Sequence, residues 1–260
     1  MKDKISSWIK EYASTNNRKS LVVGISGGID SSVVSTLCAK TGLPTYAISM
    51  PIRQIKSQNN LSIDHGSWLT NKFPNVIHHI INLDNVFFKF DLLMKGFRFN
   101  SDHANANTKS RLRMVTLHQI SSVKQGIVVG TGNKIEDFGV GFFTKYGDGG
   151  VDISPIADFY KTEIWQMGKE LGILQEIIDA PPTDGLWEDG RTDQDQLGGL
   201  TYKQMEDAMK LEDKIDITEE EKDLLNKYRS IREPNLHKMK EIPVFKNDSR
   251  TQTSDSKSRS

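Results

Sequence analysis

The sequence predicts an α/β protein with a doubly wound parallel sheet flanked by helices, followed by a helical C-terminal part. Apolar strand-like runs alternate with helical patterns over roughly the first 130 residues, which is typical of a parallel sheet with crossover helices. Beyond Gly150 the patterns are helical only. The chain has 260 residues, of which 36% are hydrophobic, and this is enough to fill a sizeable core.

Each predicted element follows from its apolar spacing. Ile5, Trp8, Ile9 and Tyr12 lie at helical spacing, so we expect an amphipathic helix over residues 1–15. Short apolar runs predict four strands, at 21–25, 46–50, 76–81 and 126–130, of which the first and the last are expected to be buried. Helical patterns predict further helices at 31–40, 108–124, 161–171, 201–210 and 217–229.

Charge, cysteine content and hydropathy narrow the class of protein. The 34 basic and 34 acidic side chains give no net charge, which argues against a protein that holds nucleic acid by bulk electrostatics. A single cysteine, Cys38, excludes an internal disulfide framework and a cysteine-rich zinc site. The amino terminus has no apolar signal core, and no stretch approaches the length of a membrane span. We therefore expect a soluble, cytoplasmic protein without nucleic-acid or membrane partners.

Two segments do not resemble packed structure. Residues 181–199 combine prolines, glycines and acids, which is typical of a long loop that is either functional or disordered. Residues 246–260 contain no apolar side chain, so a disordered polar tail is expected there. We predict a single domain over residues 1–245.

A glycine-rich turn follows the first predicted strand. Residues 21–32 read LVVGISGGIDSS, so a buried strand runs into two glycines and a helix begins directly behind them. Glycines allow the backbone to approach a ligand closely. Ser31 and Ser32 lie where free amide hydrogens and the helix dipole attract an anion. An acid beside a phosphate site, here Asp30, commonly holds a magnesium ion.

Three interpretations of this turn compete. The first is a tight strand-to-helix turn with polar caps. The second is a nucleophile elbow, because residues 24–28 fit the G-x-S-x-G pattern and His118 and His237 are available as partners of Ser26. The third is a pyrophosphate-binding loop, which also accounts for the acid and the two serines directly behind the glycines. No Walker pattern and no G-x-G-x-x-G fingerprint occurs, so ordinary kinases and dehydrogenases are disfavoured.

A family resemblance is carried by Ser26, Gly27, Gly28, Ile29, Asp30 and Ser31. They resemble the SGGxDS signature of the ATP pyrophosphatases, enzymes of the adenine nucleotide alpha hydrolase-like fold. Members of that superfamily split ATP between its α- and β-phosphates and adenylate a substrate. The signature is specific for the superfamily and does not identify the substrate.

A second polar cluster follows the fourth predicted strand. Residues 130–136 read GTGNKIE and residues 141–150 read GFFTKYGDGG, followed by Asp152, Pro155 and Lys161. This cluster lies at the carboxyl end of a neighbouring parallel strand, where ligands bind in an open α/β sheet. Its density of glycine, lysine and acid favours a polar pocket lined by backbone. Taken singly, each residue also fits a turn former or a solvated charge.

The second cluster resembles the GTGNKxE…GFFTKYGDGG block of the NAD synthetases. Further blocks match in the same order, at residues 107–114 (NTKSRLRM), 182–184 (PTD) and 236–238 (LHK) with Pro243. The resemblance covers roughly residues 20–245, and the combination of blocks is highly specific for this family.

One departure from the family pattern concerns the metal site. In that pattern the metal-binding glutamate is five positions ahead of the first phenylalanine. In this chain Glu136 is six positions ahead of Phe142, so one extra residue lies between them. Either Glu136 or Asp137 then corresponds to the metal ligand. We favour Glu136, because it keeps its place behind Asn133 and Lys134.

The resemblance implies a reaction in which ATP, deamido-NAD and ammonia give NAD, AMP and pyrophosphate through an acyl-adenylate. It implies Mg²⁺ as the cofactor, held by Asp30 and Glu136, and catalytic roles for Asp30, Lys161 and Thr183. The implied ATP-binding residues are Ser26, Gly27, Gly28, Ile29, Asp30, Ser31, Ser32, Thr131, Lys161 and Thr183. The implied deamido-NAD-binding residues are Asn107, Arg111, Phe142, Lys145, Asp148, His237 and Lys238, with Phe142 stacking on a flat ring.

The nitrogen donor and the assembly are further expectations. The chain has no spare length for a glutaminase domain, and Cys38 lies mid-helix on an apolar face, where a thiolate is not activated. We therefore expect free ammonia as the nitrogen donor, unless another chain delivers it. The resemblance implies a homodimer whose interface completes the dinucleotide site. The alternatives are another ATP pyrophosphatase that amidates or thiolates a nucleobase or tRNA, a serine esterase using Ser26, and a nucleotide-binding module without catalysis.

Overall fold

The computed structural model describes residues 1–53, 56–187 and 189–247 of the chain. All but the first two residues of the predicted tail at 246–260 lie outside the described residues, as does Glu188 of the predicted loop. Within the described part, one parallel sheet has helices on both faces, which confirms the predicted α/β class.

The sheet consists of four parallel strands, and all four were predicted. They are β1 (Ser20–Gly24), β2 (Thr45–Ser49), β3 (Val76–Ile80) and β4 (Gly126–Val128). Their order is β3-β2-β1-β4, so the direction of winding reverses beside β1. A bridge between Val129 and Ile153 continues the sheet beyond β4. The carboxyl ends of β1 and β4 therefore flank the crevice in which open α/β sheets bind ligands.

The helices surround this sheet and continue into the C-terminal part. In chain order they are α1 (Lys2–Thr15), α2 (Ile29–Lys40), α3 (Lys56–Lys72), α4 (Asp84–Gly96), α5 (Asp102–Lys124), α6 (Lys161–Leu171), α7 (Gln175–Asp179), α8 (Asp193–Gln196), α9 (Tyr202–Leu211), α10 (Glu219–Arg232) and α11 (Leu236–Met239). A π-helix spans Ile135–Val140 and a 3₁₀ turn spans Glu233–Asn235. No helix in the described part of the chain is long and apolar enough to cross a membrane.

Apolar side chains on both faces of β1 are buried, as expected for a central strand. Leu21 and Val23 pack in a core with α1, α2 and α6. Val22 faces the other side and packs with Ile48 of β2 and Leu117 of α5. Coverage of both faces explains why β1 reads as a continuous apolar run instead of alternating with polar residues.

The C-terminal helices build a second core beside the sheet. Ile135 of the π-helix, Met205 of α9 and both Leu225 and Tyr228 of α10 are buried together there. Trp165 of α6 contacts this core and the sheet core alike, so α6 joins the two parts of the molecule.

The helices differ from the predictions in two respects. The helices α2 and α5 begin earlier than predicted, because Gly28 and Ser101 occupy their N-cap positions ahead of the first apolar residue. The helices α3, α4, α7, α8 and α11 were not predicted, and α8 lies inside the predicted loop at 181–199. The sequence of α3 is rich in polar residues and shows no clear helical period, whereas α4 carries large apolar side chains in both buried and exposed positions.

Candidate active site

The turn between β1 and α2 is a compact network of hydroxyl and amide groups. Gly27 has a φ of +89°, a conformation that costs glycine little, and Gly28 is the N-cap of α2. Oγ of Ser26 accepts from the Gly28 amide at 3.2 Å and lies 3.0 Å from Oγ of Ser31. Oγ of Ser32 donates to the Gly28 carbonyl at 2.9 Å. Since the first amides of a helix lack intrahelical partners, this turn presents donors to an anion.

A buried lysine joins two carboxylates beside this turn. Lys161, the first residue of α6, is 3% exposed. Its Nζ donates to Oδ2 of Asp30 and, at 3.3 Å, to Oε1 of Glu136. Asp30 follows β1 and Glu136 follows β4, so the sheet brings both acids to one edge. The structure thus places Asp30, Glu136 and Lys161 in contact, and these are residues that the resemblance assigned to the binding of ATP or magnesium.

Burial controls protonation in this cluster. It raises the pKa of Glu136 to about 7, an effect that the Lys161 ammonium opposes and the Asp30 carboxylate reinforces. Burial by itself lowers the pKa of Lys161, but the attraction of Asp30 and Glu136 outweighs it and the net shift is upward. Lys161 therefore stays protonated, and the carboxylates around it stabilise a positive charge at this position.

Asn133 fixes the positions of both acids. It is fully buried, and its Nδ2 donates to Oδ1 of Asp30 at 3.2 Å. Its Oδ1 accepts from the backbone amides of Ile135 at 3.0 Å and Glu136 at 3.2 Å. Asn133 thus caps the π-helix and ties it to α2. Sequence reasoning assigned it no role, although a polar residue just ahead of a helical acid was the available signal.

Tyr202 and Asp193 complete the cluster, and neither was predicted. The hydroxyl of Tyr202 lies 2.7 Å from Oε1 of Glu136 and 2.8 Å from Oδ2 of Asp193. Asp193 is 4% exposed, although it belongs to the predicted loop at 181–199, and burial raises its pKa to about 6. Sequence spacing did not indicate this role, because Asp193 also fits a helix cap and Tyr202 also fits an ordinary core tyrosine.

Thr131 and Thr183, the other residues assigned to ATP, lie in loops. Thr131 is half-buried in the segment after β4. Oγ1 of Thr183 donates to the carbonyl of Arg191 at 3.2 Å and accepts from the amide of Gly185 at 3.3 Å. The first bond ties Thr183 to Arg191, and the second lies within a local turn. Contact of either threonine with a phosphate stays a prediction.

A cavity of about 340 Å³ lies beyond the end of β4. It is bounded by the segment that follows β4 and by the C-terminal segment 238–242. Its charged and aromatic lining residues are Asp137, Phe138, Phe143, Lys145, Tyr146, Asp148, Lys238, Lys240 and Glu241. Three residues assigned to deamido-NAD, namely Lys145, Asp148 and Lys238, are therefore brought together at one cavity.

Hydrogen bonds from α5 hold one wall of this cavity. Oδ1 of Asp148 accepts from Oγ of Ser110 at 2.6 Å and from the amide of Thr144 at 2.9 Å. Oγ1 of Thr144 donates to Oδ1 of Asn107 at 2.6 Å. Asn107 is thereby linked to the loop that carries Asp148, although it does not line the cavity.

Arg111 of α5 and the C-terminal segment also bond to the loop that carries Asp148. Arg111 donates to the carbonyl of Lys145 at 3.3 Å and 3.4 Å, and Nζ of Lys145 donates to the carbonyl of His237 at 3.4 Å. Nζ of Lys238 donates to the carbonyl of Phe143 at 2.8 Å, and burial lowers the pKa of this lysine. Arg111 and His237 therefore support the cavity through backbone atoms, and their contact with a ligand stays a prediction.

Phe142 and Phe143 have different surroundings. Phe142 is partly buried against the second core, whereas Phe143 lines the cavity together with Tyr146. The stacking role assigned to Phe142 stays a prediction. The rings that the fold places at the cavity are those of Phe138, Phe143 and Tyr146.

The π-helix accommodates the extra residue between Glu136 and Phe142. The amide of Phe142 donates to the carbonyl of Glu136 at 2.9 Å, which closes a wider turn than an α-helix would. Glu136 then contacts Lys161, whereas Asp137 lines the cavity against Gly132, where an added Cβ would collide with its carboxylate. Burial raises the pKa of Asp137 to about 7. The two neighbouring acids thus face different compartments.

The geometry disfavours the serine-esterase alternative and a cysteine nucleophile. His118 and His237 each hydrogen-bond to a backbone carbonyl, at 2.9 Å and 3.0 Å, whereas Ser26 bonds within its own turn. Cys38 is buried in α2, and burial raises the pKa of its thiol. Ser26 is exposed but bonds to no histidine in the described part of the chain, and Cys38 lacks the exposure of an activated nucleophile.

Known proteins resemble this chain along most of its length. The NAD synthase family matches residues 1–246. A protein of Finegoldia magna named NH(3)-dependent NAD(+) synthetase is 37% identical over 207 residues, which are 79% of this chain and 81% of that protein. A protein of the same name from Carboxydothermus hydrogenoformans is 36% identical over 211 residues, covering 78% of this chain and 82% of its own.

Solved structures agree with this comparison. An NMN synthetase from Francisella tularensis superposes with a TM-score of 0.82 at 30% identity and covers 94% of this chain and 96% of its own. An NH3-dependent NAD synthetase from Campylobacter jejuni superposes with a TM-score of 0.72 at 26% identity and covers 94% and 97%. With a family match over residues 1–246 and relatives well above 30% identity, this chain belongs to the NAD synthase family.

Proposed function

We propose that this chain is an ammonia-dependent NAD synthetase, a ligase that forms a carbon–nitrogen bond. It would use ATP to activate the nicotinate carboxylate of deamido-NAD and would then join that carbon to ammonia. The observation that carries the proposal is the convergence of Asp30, Glu136 and Lys161 beside the phosphate-binding turn. The cavity with Lys145 and Asp148 lies at the same edge of the sheet and supplies a second binding site.

Magnesium fits the Asp30–Glu136 pair. In proteins this ion is commonly held by one or two carboxylates, with substrate phosphates and water completing its oxygen shell. Asp30 and Glu136 already share one cation, the ammonium of Lys161. The described part of the chain contains no group of three or more acids, histidines and cysteines suited to a metal, so phosphate oxygens would complete the site. A bound magnesium ion would neutralise charge on the phosphates.

The turn at residues 26–32 would bind the pyrophosphate half of ATP. Its serine hydroxyls and the first amides of α2 are hydrogen-bond donors at the positive end of a helix. Lys161 would add a positive charge next to the same oxygens. Because pyrophosphate is the leaving group, donors placed here stabilise the charge that develops as the bond breaks.

The chemistry needs an activated acyl group because a carboxylate is a poor electrophile. An oxygen of the nicotinate carboxylate attacks the α-phosphorus of ATP, and the bond to pyrophosphate breaks. Ammonia then attacks the carbonyl carbon of the acyl-adenylate, AMP leaves with the electron pair of the carbon–oxygen bond, and the added nitrogen loses a proton. The protein contributes chiefly by positioning the reactants and by neutralising charge.

The cavity suits the nicotinate nucleotide. Phe143 and Tyr146 offer rings to a flat heterocycle, and Lys145 and Lys238 offer positive charge to a carboxylate or phosphate. Asp148 lies on the same wall, held by its bonds to α5. The cavity and the phosphate-binding turn meet at Glu136 and Asp137, so the two substrates would approach each other there.

Free ammonia is the nitrogen donor that we propose. The one cysteine, Cys38, is buried without an activating base, so this chain does not offer a thiolate for glutamine hydrolysis. All substrates of the reaction are then small molecules. On this basis we propose a cytoplasmic enzyme that requires neither nucleic acid nor a membrane.

We also propose a homodimer that is formed through α4 and α5. These two helices pack against each other and expose large apolar side chains, namely Val86, Phe88, Leu92, Leu93, Val115 and Val123, each more than half exposed. Extensive exposed apolar surface commonly marks a protein interface. A second copy of the chain would bury these side chains.

A mononucleotide substrate is a second candidate for the same chemistry. The observation that favours it is the higher TM-score with the NMN synthetase, 0.82 against 0.72 for the NAD synthetase of C. jejuni. Nicotinate mononucleotide carries the same carboxylate as deamido-NAD and lacks the adenylyl half. The chemistry around Asp30 and Glu136 would be unchanged, and only the extent of the nucleotide site would differ.

One experiment tests both candidates. AMP and the amide product are measured after incubating the protein with ATP, magnesium, either deamido-NAD or nicotinate mononucleotide, and either ammonium or glutamine. We expect AMP and NAD in equal amounts with deamido-NAD and ammonium. A higher kcat/KM for nicotinate mononucleotide would assign the chain to NMN synthesis, and absence of AMP with both acids would overturn the proposal.

A further inference from the structure

We propose that Tyr202 and Asp193 are positioning residues that couple the segment 181–199 to Glu136 at the magnesium site. The inference rests on the proposed function, because it takes Asp30 and Glu136 as the magnesium-binding pair. Neither Tyr202 nor Asp193 was among the residues that the family resemblance assigned to a ligand.

The hydroxyl of Tyr202 lies between two largely buried carboxylates. It is 2.7 Å from Oε1 of Glu136 and 2.8 Å from Oδ2 of Asp193, and Tyr202 itself is 6% exposed. A phenol has a single hydroxyl proton, so it donates to one carboxylate at a time. The position and charge of one carboxylate therefore affect the hydrogen bond available to the other.

The ring of Tyr202 also positions the lysine. Nζ of Lys161 lies 4.6 Å from the centre of this ring, within the range of a cation–π interaction. The indole of Trp165 packs edge-on against this ring, with 6.2 Å between the ring centres. One side chain thus orients both the glutamate and the lysine of the cluster, and the second core holds that side chain in place.

Asp193 ties this tyrosine to the segment that carries Thr183. Its backbone amide donates to the carbonyl of Pro182 at 3.0 Å, directly ahead of Thr183. Its second carboxylate oxygen, Oδ1, is buried and has no hydrogen-bond partner among the described residues. A buried carboxylate oxygen without a partner costs free energy, and such groups call for an explanation beyond packing.

A continuous set of bonds therefore joins the predicted phosphate contact to the metal carboxylate. It runs from Thr183 through Pro182 and Asp193 to the Tyr202 hydroxyl and ends at Glu136. A change in the segment 181–199 moves Asp193 and so reaches Glu136. By reciprocity, occupation of the metal site favours the arrangement of the segment that holds Asp193 against Tyr202.

The test uses two variants that keep the shape of the cluster. Y202F removes the hydroxyl and keeps the ring, and D193N removes the charge and keeps the outline. Magnesium binding to the full chain is measured by calorimetry in the presence of α,β-methylene-ATP, which is not cleaved at the reacting bond. We expect the apparent Kd for magnesium to rise about tenfold in each variant, as for loss of a hydrogen bond to a charged group.

Proteolysis supplies a readout that does not depend on activity. Trypsin can cut the segment at Arg191, which is exposed. We expect magnesium and α,β-methylene-ATP to slow this cut in the wild type and to slow it much less in Y202F and D193N. A purely structural role for Tyr202 would lower the Tm and leave this ligand dependence unchanged.

The matched control is Y228F. Tyr228 is fully buried in the same core as Tyr202, and no hydrogen bond joins its hydroxyl to Asp30, Glu136 or Asp193. Y228F should bind magnesium like the wild type. If Y202F also binds magnesium and protects Arg191 like the wild type, the coupling proposal is wrong while the proposed function stands. If the wild type itself shows no magnesium-dependent nucleotide binding, the proposed function fails. Should Y202F not fold, D193N decides by the same criteria.

Discussion

Lys161 and Asp30 form a buried ion pair although 131 residues separate them in the chain. Their side chains are 4% and 13% exposed, so the pair gives up most of its hydration. Such a pair is stable only when its geometry and further hydrogen bonds offset the loss of water, which here come from Asn133 and Glu136. Because two carboxylates face one ammonium, the cluster has the charge to accept a further cation.

Asp30 is expected to be essential for turnover. D30N keeps the size of the side chain and removes the charge that faces Lys161 and, in the proposed complex, the magnesium ion. We expect the rate to fall by a factor of about a hundred or more, on the scale of lost electrostatic stabilisation. Steady-state kinetics at low magnesium measure this, and near-normal turnover would remove Asp30 from the metal site.

Glu136 and Asp137 should respond differently to loss of charge. Glu136 contacts Lys161, whereas Asp137 lines the cavity against Gly132. E136Q should therefore raise the magnesium concentration needed for half-maximal rate strongly, and D137N should leave it nearly unchanged. The two variants serve as each other's control. The reverse result would mean that Asp137 corresponds to the family's metal ligand.

This pair of acids shows what the sequence could and could not predict. The ends of two neighbouring parallel strands predicted that the polar clusters with Asp30 and Glu136 would share one edge of the sheet, and the family resemblance assigned Lys161 to the same ligand. The spacing also revealed one extra residue before Phe142. It could not reveal that a π-helix would absorb that residue and point the neighbouring Asp137 into a different compartment, because this depends on packing against the second core.

Long-range partners were beyond sequence reasoning. Tyr202 reaches Glu136 across 66 positions of the chain, and only the packing of α9 on the π-helix brings them together. The helix α4 escaped prediction for a related reason. Its apolar residues lie both on its buried face and on its exposed face, and the sequence alone does not distinguish these two environments.

Removal of the lysine should destabilise the protein when magnesium is absent. K161M leaves Asp30 and Glu136 facing each other without a cation, which is expected to cost about 3 kcal/mol. For a chain of this size that corresponds to a Tm lower by roughly 6 °C or more. Thermal unfolding in EDTA measures the loss.

Magnesium should restore stability to K161M more than it stabilises the wild type, because no ammonium has to be displaced from between the carboxylates. The control is K169M, which alters an exposed lysine on the same helix. Equal stabilisation of K161M and the wild type by magnesium would show that the metal ion and Lys161 do not compete for one position.

A buried histidine should make the fold sensitive to acid. His65 of α3 is fully buried and hydrogen-bonds to Ser35 at 2.9 Å. Burial, with repulsion from His78 as the smaller cause, lowers its pKa to about 3. The unfolded chain protonates near pH 6.5, so stability from this group is complete above that pH and is lost as the pH falls toward 3.

From pH 7 to pH 5 this histidine should remove about 2 kcal/mol from the free energy of unfolding. Urea unfolding at both pH values measures the loss in the wild type, in H65Q and in H79Q, which alters an exposed histidine of β3. H65Q should lose about 2 kcal/mol less than the wild type over this range, and H79Q should behave like the wild type. Parallel losses in all three proteins would exclude His65 as the cause.

The segment 181–199 should close over bound phosphates. Four of its glycines have positive φ and its acids repel one another, which favours movement of the exposed residues around Arg191, whereas Asp193 and Leu197 anchor the segment in buried positions. Closure would exclude water, which could otherwise hydrolyse the acyl-adenylate before ammonia arrives. Trypsin should therefore cut at Arg191 quickly in the free protein and at least several-fold more slowly with ATP, magnesium and deamido-NAD. R191Q should abolish this cut and so identify it.

The alternative is that the segment 181–199 is a surface loop without a role in catalysis. On that hypothesis the rate of cutting at Arg191 is the same with and without ligands, and replacing residues 185–191 by a few glycines leaves turnover intact. Closure predicts the opposite on both counts, because a short glycine bridge cannot exclude water from the acyl-adenylate. Such a shortened segment should still release pyrophosphate from ATP, yet form less NAD per AMP as water replaces ammonia as the attacking group. The ratio of NAD to AMP thus separates a lid from a loop that merely connects two helices.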